Sequence, residues 1–183
     1  MSTIAEAPAT VVRIGAVSFL NTLPLIEGLG KLRDISLTLT APSRLVDLLL
    51  DDTVDIALAS IIDLQRSPVP LALIPAGMIG CDGPTMTVRL FSKGPIDLLR
   101  RIHVDADSHT SIALLRIILA ERYGLHPELI EMNVPSGVAA DPQWPEALLM
   151  IGDKIVTNSP PAVFYPHQLD LGEAWKELTG LPF

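Results

Sequence analysis

From residue 11 onward, nearly uncharged β-branched runs alternate with segments of helical period, and this rhythm constrains the fold more than any other feature. Residues 11–17 (VVRIGAV) read as a buried strand. Phe19-Leu20-Asn21-Thr22-Leu23-Pro24 then opens a helix carrying Leu25, Ile26 and Leu29, which Gly28 and Gly30 stop. Residues 35–40 alternate apolar and polar, the period of a strand, and Pro42-Ser43 starts a second helix with Leu45, Val46, Leu48, Leu49 and Leu50 on its apolar face. Residues 54–59 make another buried strand, and residues 72–74 a further one after Pro70. This β-α-β-α-β order predicts a mostly parallel sheet covered by helices.

The rhythm then begins afresh. Residues 85–92 alternate, with Thr87, Arg89 and Phe91 on one side and Met86, Val88 and Leu90 on the other, before Lys93-Gly94-Pro95 interrupts them. A short strand at 102–105 leads through Asp107-Ser108-His109-Thr110-Ser111 into a helix over 112–123, ended by Gly124. Strands are expected at 130–134 and 147–151, the latter ending in Gly152-Asp153, and an amphipathic helix at 171–178 is capped by Gly180. The expectation is therefore an α/β fold in two lobes, 11–92 and 93–183, after a disordered tail at 1–10.

Composition excludes several functions. The 13 basic and 21 acidic groups leave a net charge of -8, so no nucleic-acid partner is expected, because phosphate binding needs a dense basic stripe. Cys81 is the one cysteine, which forbids an internal disulfide and fits a reducing compartment. The first ten residues carry neither a basic nor an apolar leader segment, and Asp, Pro or Gly breaks every apolar run before a membrane-spanning length. A cytoplasmic location and no membrane partner are expected, while oligomeric state stays open. His103, His109, His126 and His167 lack metal-ligand spacing, so no metal is expected. Dinucleotide, Walker and nucleophile-elbow motifs are absent. Asp51, Asp52 and Asp55 read as a solvated helix end, Trp144 and Trp175 as packing residues, and His109 as a solvent-facing residue at a helix start.

In open α/β sheets, ligands collect beyond the carboxyl ends of strands, at helix N-termini. Two such places stand out: Ser18-Phe19-Leu20-Asn21 after the first strand, and Ser108-His109-Thr110-Ser111 after the strand at 102–105. In the first, Asn21 either caps the helix or reaches a ligand. In the second, backbone N–H groups and hydroxyls either cap the helix or bind a carboxylate, and both can hold at once. Facing one another across a cleft, the two would suit a small ligand with carboxylates at each end. Partial charges at helix ends act at short range, so a net-negative protein can still hold an anion.

Several motifs in order carry a family resemblance. The run Arg13-Ile14-Gly15-Ala16-Val17-Ser18-Phe19-Leu20-Asn21-Thr22-Leu23-Pro24-Leu25 is followed by Val54-Asp55-Ile56-Ala57-Leu58-Ala59-Ser60 and Asp82-Gly83-Pro84-Thr85-Met86-Thr87-Val88. Ser108-His109-Thr110-Ser111-Ile112-Ala113-Leu114-Leu115, Leu148-Leu149-Met150-Ile151-Gly152-Asp153 and Tyr165-Pro166-His167 continue it. From about residue 11 to its last residue, the chain resembles the chorismate dehydratase family of the futalosine route to menaquinone. The resemblance implies a fold similar to type II periplasmic binding proteins. It also implies cofactor-free removal of water from chorismate, a dicarboxylate.

Carried over by position, the resemblance puts Asn21 near the reacting ring and Thr87 where the family has a serine, keeping the hydroxyl and adding a methyl. Thr110 and Ser111 match the carboxylate-binding helix start, with Ser18 and Ser108 beside the two starts. Ser60, Gly152 and Asp153 come near the cleft. Family members continue past Leu181-Pro182-Phe183 with a strand, a return crossover and C-terminal helices, so this chain is expected to lack those elements and to be aggregation-prone or poorly active. The competing readings are a 1,4-dihydroxy-6-naphthoate synthase-like relative, which would use a histidine base, a non-catalytic small-carboxylate binder, and an inactive fragment.

Overall fold

The computed structural model describes residues 11–135 and 144–183, and the tail expected at 1–10 lies outside them. The chain divides into two compact units, Met1–Ala59 and Ser60–Phe183.

The first unit is built on a three-stranded parallel sheet. Strand β1 (Val12–Val17) lies between β2 (Ile35–Thr40) and β3 (Ile56–Ala57). The helix expected after β1 is a 3-10 turn, Leu20–Thr22, followed by one α-helical turn, α1 (Leu23–Ile26), because Gly28 at φ +86 ends it early. Helix α2 (Leu45–Leu50) follows a 3-10 turn at Pro42–Arg44 and buries Leu45 and Val46. It lies close over β1 because residue 15 is glycine: a Cβ there would stand 2.9 Å from Leu45 Cδ2.

Charge closes the lower edge of this sheet. The Arg13 guanidinium donates to both Asp55 carboxylate oxygens, at 3.2 and 2.7 Å, and to Asp52 Oδ1 at 2.8 Å. Asp52 and Asp55, expected to be merely solvated, are thus forked by one arginine. The hydrogen bonds from Arg13 hold the Asp55 carboxyl down at about 2, from an ordinary value of 3.8. A carboxyl lowered by folding contributes stability above its unfolded value and loses it as pH falls through the folded one. Acid unfolding of the wild-type protein is therefore expected to steepen between about pH 4 and 2 relative to Asp55→Asn, followed by circular dichroism. Identical acid limbs would remove Asp55 from the account.

The second unit begins with a short helix, α3 (Asp63–Arg66), and holds a mixed five-stranded sheet. Its strands are β4 (Val88–Ser92), β5 (Arg101–Asp105), β6 (Glu128–Met132), β7 (Ala147–Ile151) and β8 (His167–Asp170), in the order β6-β5-β7-β4-β8. Strands β5, β6 and β7 are parallel, and β4 runs antiparallel to both β7 and β8. The lobe boundary was expected near residues 92–95. Val88–Ser92, however, lies in register with Ala147–Ile151, and the compact units meet between Ala59 and Ser60. Residues 72–74, expected as a strand, have no strand pairing and lie exposed in an irregular run rich in proline.

Helix α4 (His109–Tyr123) and helix α6 (Leu171–Thr179) pack against one face of this sheet. Leu114, Leu115, Ile118 and Leu119 of α4 meet Leu90, Ile102, Val104 and Leu149 there, with Trp175 at the margin. Gly124 at φ +64 and Gly180 at φ +73 end the two helices in the left-handed conformation that glycine adopts without strain. The other face carries Phe91, Leu148, Met150, Tyr165 and Ile155, the last from helix α5 (Lys154–Asn158), with Trp144 packed alongside. These are α/β sheets with parallel strands, an architecture consistent with the periplasmic-binding-protein-like fold. No helix among the described residues is long and apolar enough to cross a membrane.

Candidate functional site

The strand register of the second unit gathers chemistry at one edge of its sheet. Parallel β5 and β7 end there, at Asp105 and Ile151. Antiparallel β4 begins there, since Val88 pairs with Ile151, and β8 ends there, since Asp170 pairs with Arg89. The segments just beyond this edge include Thr87, Ser108, Thr110, Ser111, Gly152 and Asp153, all candidates from the sequence.

At the start of α4, Ser108 is the N-cap, and its Oγ accepts from Ser111 N at 3.2 Å and pairs with Ser111 Oγ at 2.9 Å. Both side chains are buried, so they are engaged in holding the helix start itself. Thr110 is only half-buried, and its hydroxyl forms no hydrogen bond among the described residues. Ser108 and Ser111 thus cap the helix, while the Thr110 hydroxyl stays unengaged among the described residues.

His109, the first residue of α4, is not simply solvent-facing. Its Nδ1 lies 2.8 Å from Asp63 Oδ1, with 29 % of the histidine side chain exposed and 3 % of the aspartate. Asp63 in turn donates its backbone N–H to the Ser60 carbonyl at 2.9 Å. One hydrogen bond thus ties the turn bearing Ser60 to the helix bearing Thr110. The second Asp63 oxygen, Oδ2, is buried without a partner among the described residues.

A second charged cluster lies beside it. Lys154, buried at the start of α5, places Nζ 2.9 Å from each oxygen of Asp105 and 2.5 Å from Asp107 Oδ2. Asp105 is fully buried at the end of β5, and burial pushes its carboxyl up against the opposing hydrogen bond from Lys154. The trio joins the loop after β7 to the loop before α4. Gly152, at φ +67, makes the turn between β7 and α5 and donates its N–H to the Thr87 carbonyl at 2.7 Å. Thr87 Oγ1 meets the Thr85 carbonyl at 3.3 Å.

Asp170 fixes the remaining corner. Its carboxylate caps α6 through Gly172 N and Glu173 N, at 3.0 and 3.2 Å. The same carboxylate accepts from Thr85 N at 2.9 Å and Met86 N at 2.7 Å, holding Met86 in the left-handed region at φ 59. Asp63, Asp105, Asp107, Lys154 and Asp170 were all missed in the sequence. The signal that could have found Asp170 is an Asp two residues before a glycine at the start of an amphipathic helix.

In the first unit, Ser18 and Asn21 are exposed beyond the carboxyl end of β1. Asn21 is the middle residue of the 3-10 turn, not a cap: the cap positions fall to Phe19 and Thr22, and neither makes a side-chain cap bond. The Asn21 amide has no hydrogen-bond partner among the described residues, so it is available to a ligand. The neighbouring Thr22 is buried, with its hydroxyl likewise unpartnered among those residues.

The sequence pattern of the family described as Menaquinone biosynthesis matches residues 12–183. The chain is also similar to a chorismate dehydratase of Thermus thermophilus, at 29 % identity over 185 aligned positions. That alignment takes in 93 % of this chain and 66 % of the relative, so the chain spans just under two thirds of the relative's length.

Proposed function

This chain belongs to the Menaquinone biosynthesis family, and from that premise we propose that it acts as a chorismate dehydratase, a carbon–oxygen lyase that removes water from chorismate to give 3-[(1-carboxyvinyl)oxy]benzoate. The observation that carries the reading is the start of α4. Ser108 and Ser111 satisfy one another there, which leaves Thr110 and the first backbone N–H groups for a carboxylate. Asn21, exposed and without a partner among the described residues, holds the substrate near the reacting ring. Thr87, Ser60, Ser18, Gly152 and Asp153 are the further residues this reading assigns to substrate binding.

In this elimination the ring C–H bond and the adjacent C–OH bond break, and hydroxide leaves as water. Aromatisation of the ring supplies the driving force. The proton passes to the substrate's own enolpyruvyl carboxylate and from there to the departing hydroxide, completing the water, and the protein contributes orientation, which by itself lowers a barrier substantially. A pH–rate profile governed by an enzymic base titrating near neutrality would argue against that assignment.

The test is to incubate the purified chain with chorismate and follow the enolpyruvyl-benzoate product by chromatography. Wild-type product is expected to fall by about a hundredfold in Asn21→Ala, the scale for losing one oriented hydrogen bond to a reacting group. Product formation indifferent to Asn21 would remove that residue from the mechanism. No product from a folded wild-type chain would sink the dehydratase reading for this polypeptide.

A further inference from the structure

We infer that His109 is a carboxylate-binding residue, which takes up a proton when a dicarboxylate binds at the start of α4, with buried Asp63 as the group that orients it. The inference deepens the proposed function and rests on it for the choice of ligand. Three observations converge. First, Asp63 is almost wholly buried, accepts from His109 Nδ1 at 2.8 Å, and keeps Oδ2 unpartnered among the described residues. A buried carboxylate aimed at the first residue of a helix stabilises a positive charge there. Second, with Nδ1 committed to Asp63, the other ring nitrogen, Nε2, is left for a ligand, and the side chain is exposed enough to meet one. Third, two basic side chains at this edge of the sheet are already engaged with carboxylates: Lys154 with Asp105 and Asp107, and Arg89 with Asp170.

The charges facing this histidine work in opposite directions. The dipole of α4 disfavours an imidazolium at its first position. Asp63 on α3 offsets that, and Asp105 and Asp107 are neutralised in part by Lys154 on α5. A ligand carboxylate at Nε2 then places His109 between two negative groups, and the protonated ring donates one N–H to each. The proton comes from solvent, so binding draws protons from the buffer.

Titration calorimetry of the 183-residue chain reads this directly, with chorismate and separately with isophthalate, an unreactive dicarboxylate, in buffers of different ionisation enthalpy. The expected result is net proton uptake on binding by the wild type, absent in His109→Gln and reduced in Asp63→Asn. Affinity should fall about tenfold or more in His109→Gln, the scale of one charge-assisted hydrogen bond. In turnover the same substitution should raise KM and leave kcat within a few fold. Imidazole nitrogen NMR of the wild type needs no variant: His109 Nε2 should become protonated when isophthalate is added. Equal uptake in wild type and His109→Gln, no uptake, or no binding of either ligand would overturn the inference. So would a loss of kcat at constant KM, which would make His109 a proton-transfer group. Uptake that depends on His109 without product from chorismate would keep the inference and sink the dehydratase.

Discussion

Lys154→Met is expected to cost about 3–5 kcal/mol of folding stability, the scale for removing one partner of a buried ion pair. The size follows from what stays behind. Asp105 is fully buried and Asp107 about one-third exposed, and both point at the missing ammonium. Two like charges would then share a desolvated pocket with no counter-charge. The pH dependence carries a definite sign. Burial already pushes the Asp105 carboxyl up, and in the variant the opposing pull of Lys154 is gone. A carboxyl raised by folding contributes fully below its unfolded value, and that contribution is lost as pH rises through the folded one. The deficit in urea unfolding should therefore be largest near neutrality and shrink in acid. Adding Asp105→Asn to Lys154→Met should return part of the loss. An unfolding midpoint unchanged at pH 7 would show that the trio contributes nothing net.

Asp170→Ala should be nearly as costly, about 2–4 kcal/mol, from one lost helix cap and the backbone donors it leaves unpaired. The two carboxylate oxygens serve different elements at once: they cap α6 and grip the backbone of Thr85 and Met86. Close packing makes that grip possible. A Cβ on Gly172 would come within 2.5 Å of the Gly83 carbonyl, so only glycine lets the start of α6 lie against the Gly83–Thr85 backbone. Asp170→Asn retains a capping oxygen but replaces the other with an amide. It should fall between wild type and alanine in thermal unfolding. Because Met86 at φ 59 is held by one of these bonds, Asp170→Ala should also loosen the segment that positions Thr87. Hydrogen exchange at the Met86 amide would read that separately. Asp170→Ala with wild-type stability and protection would refute both parts.

The elements legible in the sequence were those with strong local signals. β7 is an unbroken apolar run, β1 is apolar apart from Arg13, and α4 lies between Ser108 and Gly124, a side-chain cap at one end and a left-handed glycine at the other. Residues 72–74 misled because apolar content alone does not make a strand. They have no pairing partner, and Pro68 and Pro70 precede them. The membership of β4 was illegible for a related reason. Its partners, β7 and β8, lie far along the chain, and alternation reports a strand's faces without its neighbours.

At the site, the Ser-His-Thr-Ser motif was readable because cap residues act within a single turn. The pairing of its two serines was not, since the Ser108–Ser111 bond only emerges from coordinates. Asp63, Asp105 and Lys154 were passed over because isolated charges in a sequence read as solvated. Only the folded arrangement shows that each has been given a hydrogen-bonding partner.

The place of β4 in the second sheet has a consequence during synthesis. Strand β1 meets β2 after one short connection, so the first unit's sheet can close while the chain is still emerging from the ribosome. Strand β4 cannot pair until β7 has been made, and then β8 on its other side. Through that interval its buried residues, Leu90 and Phe91, are exposed beside unsatisfied backbone groups. Nascent chains of this protein should engage a hydrophobic-segment chaperone while residues 93–146 are being translated, and release it once Ala147–Ile151 has emerged.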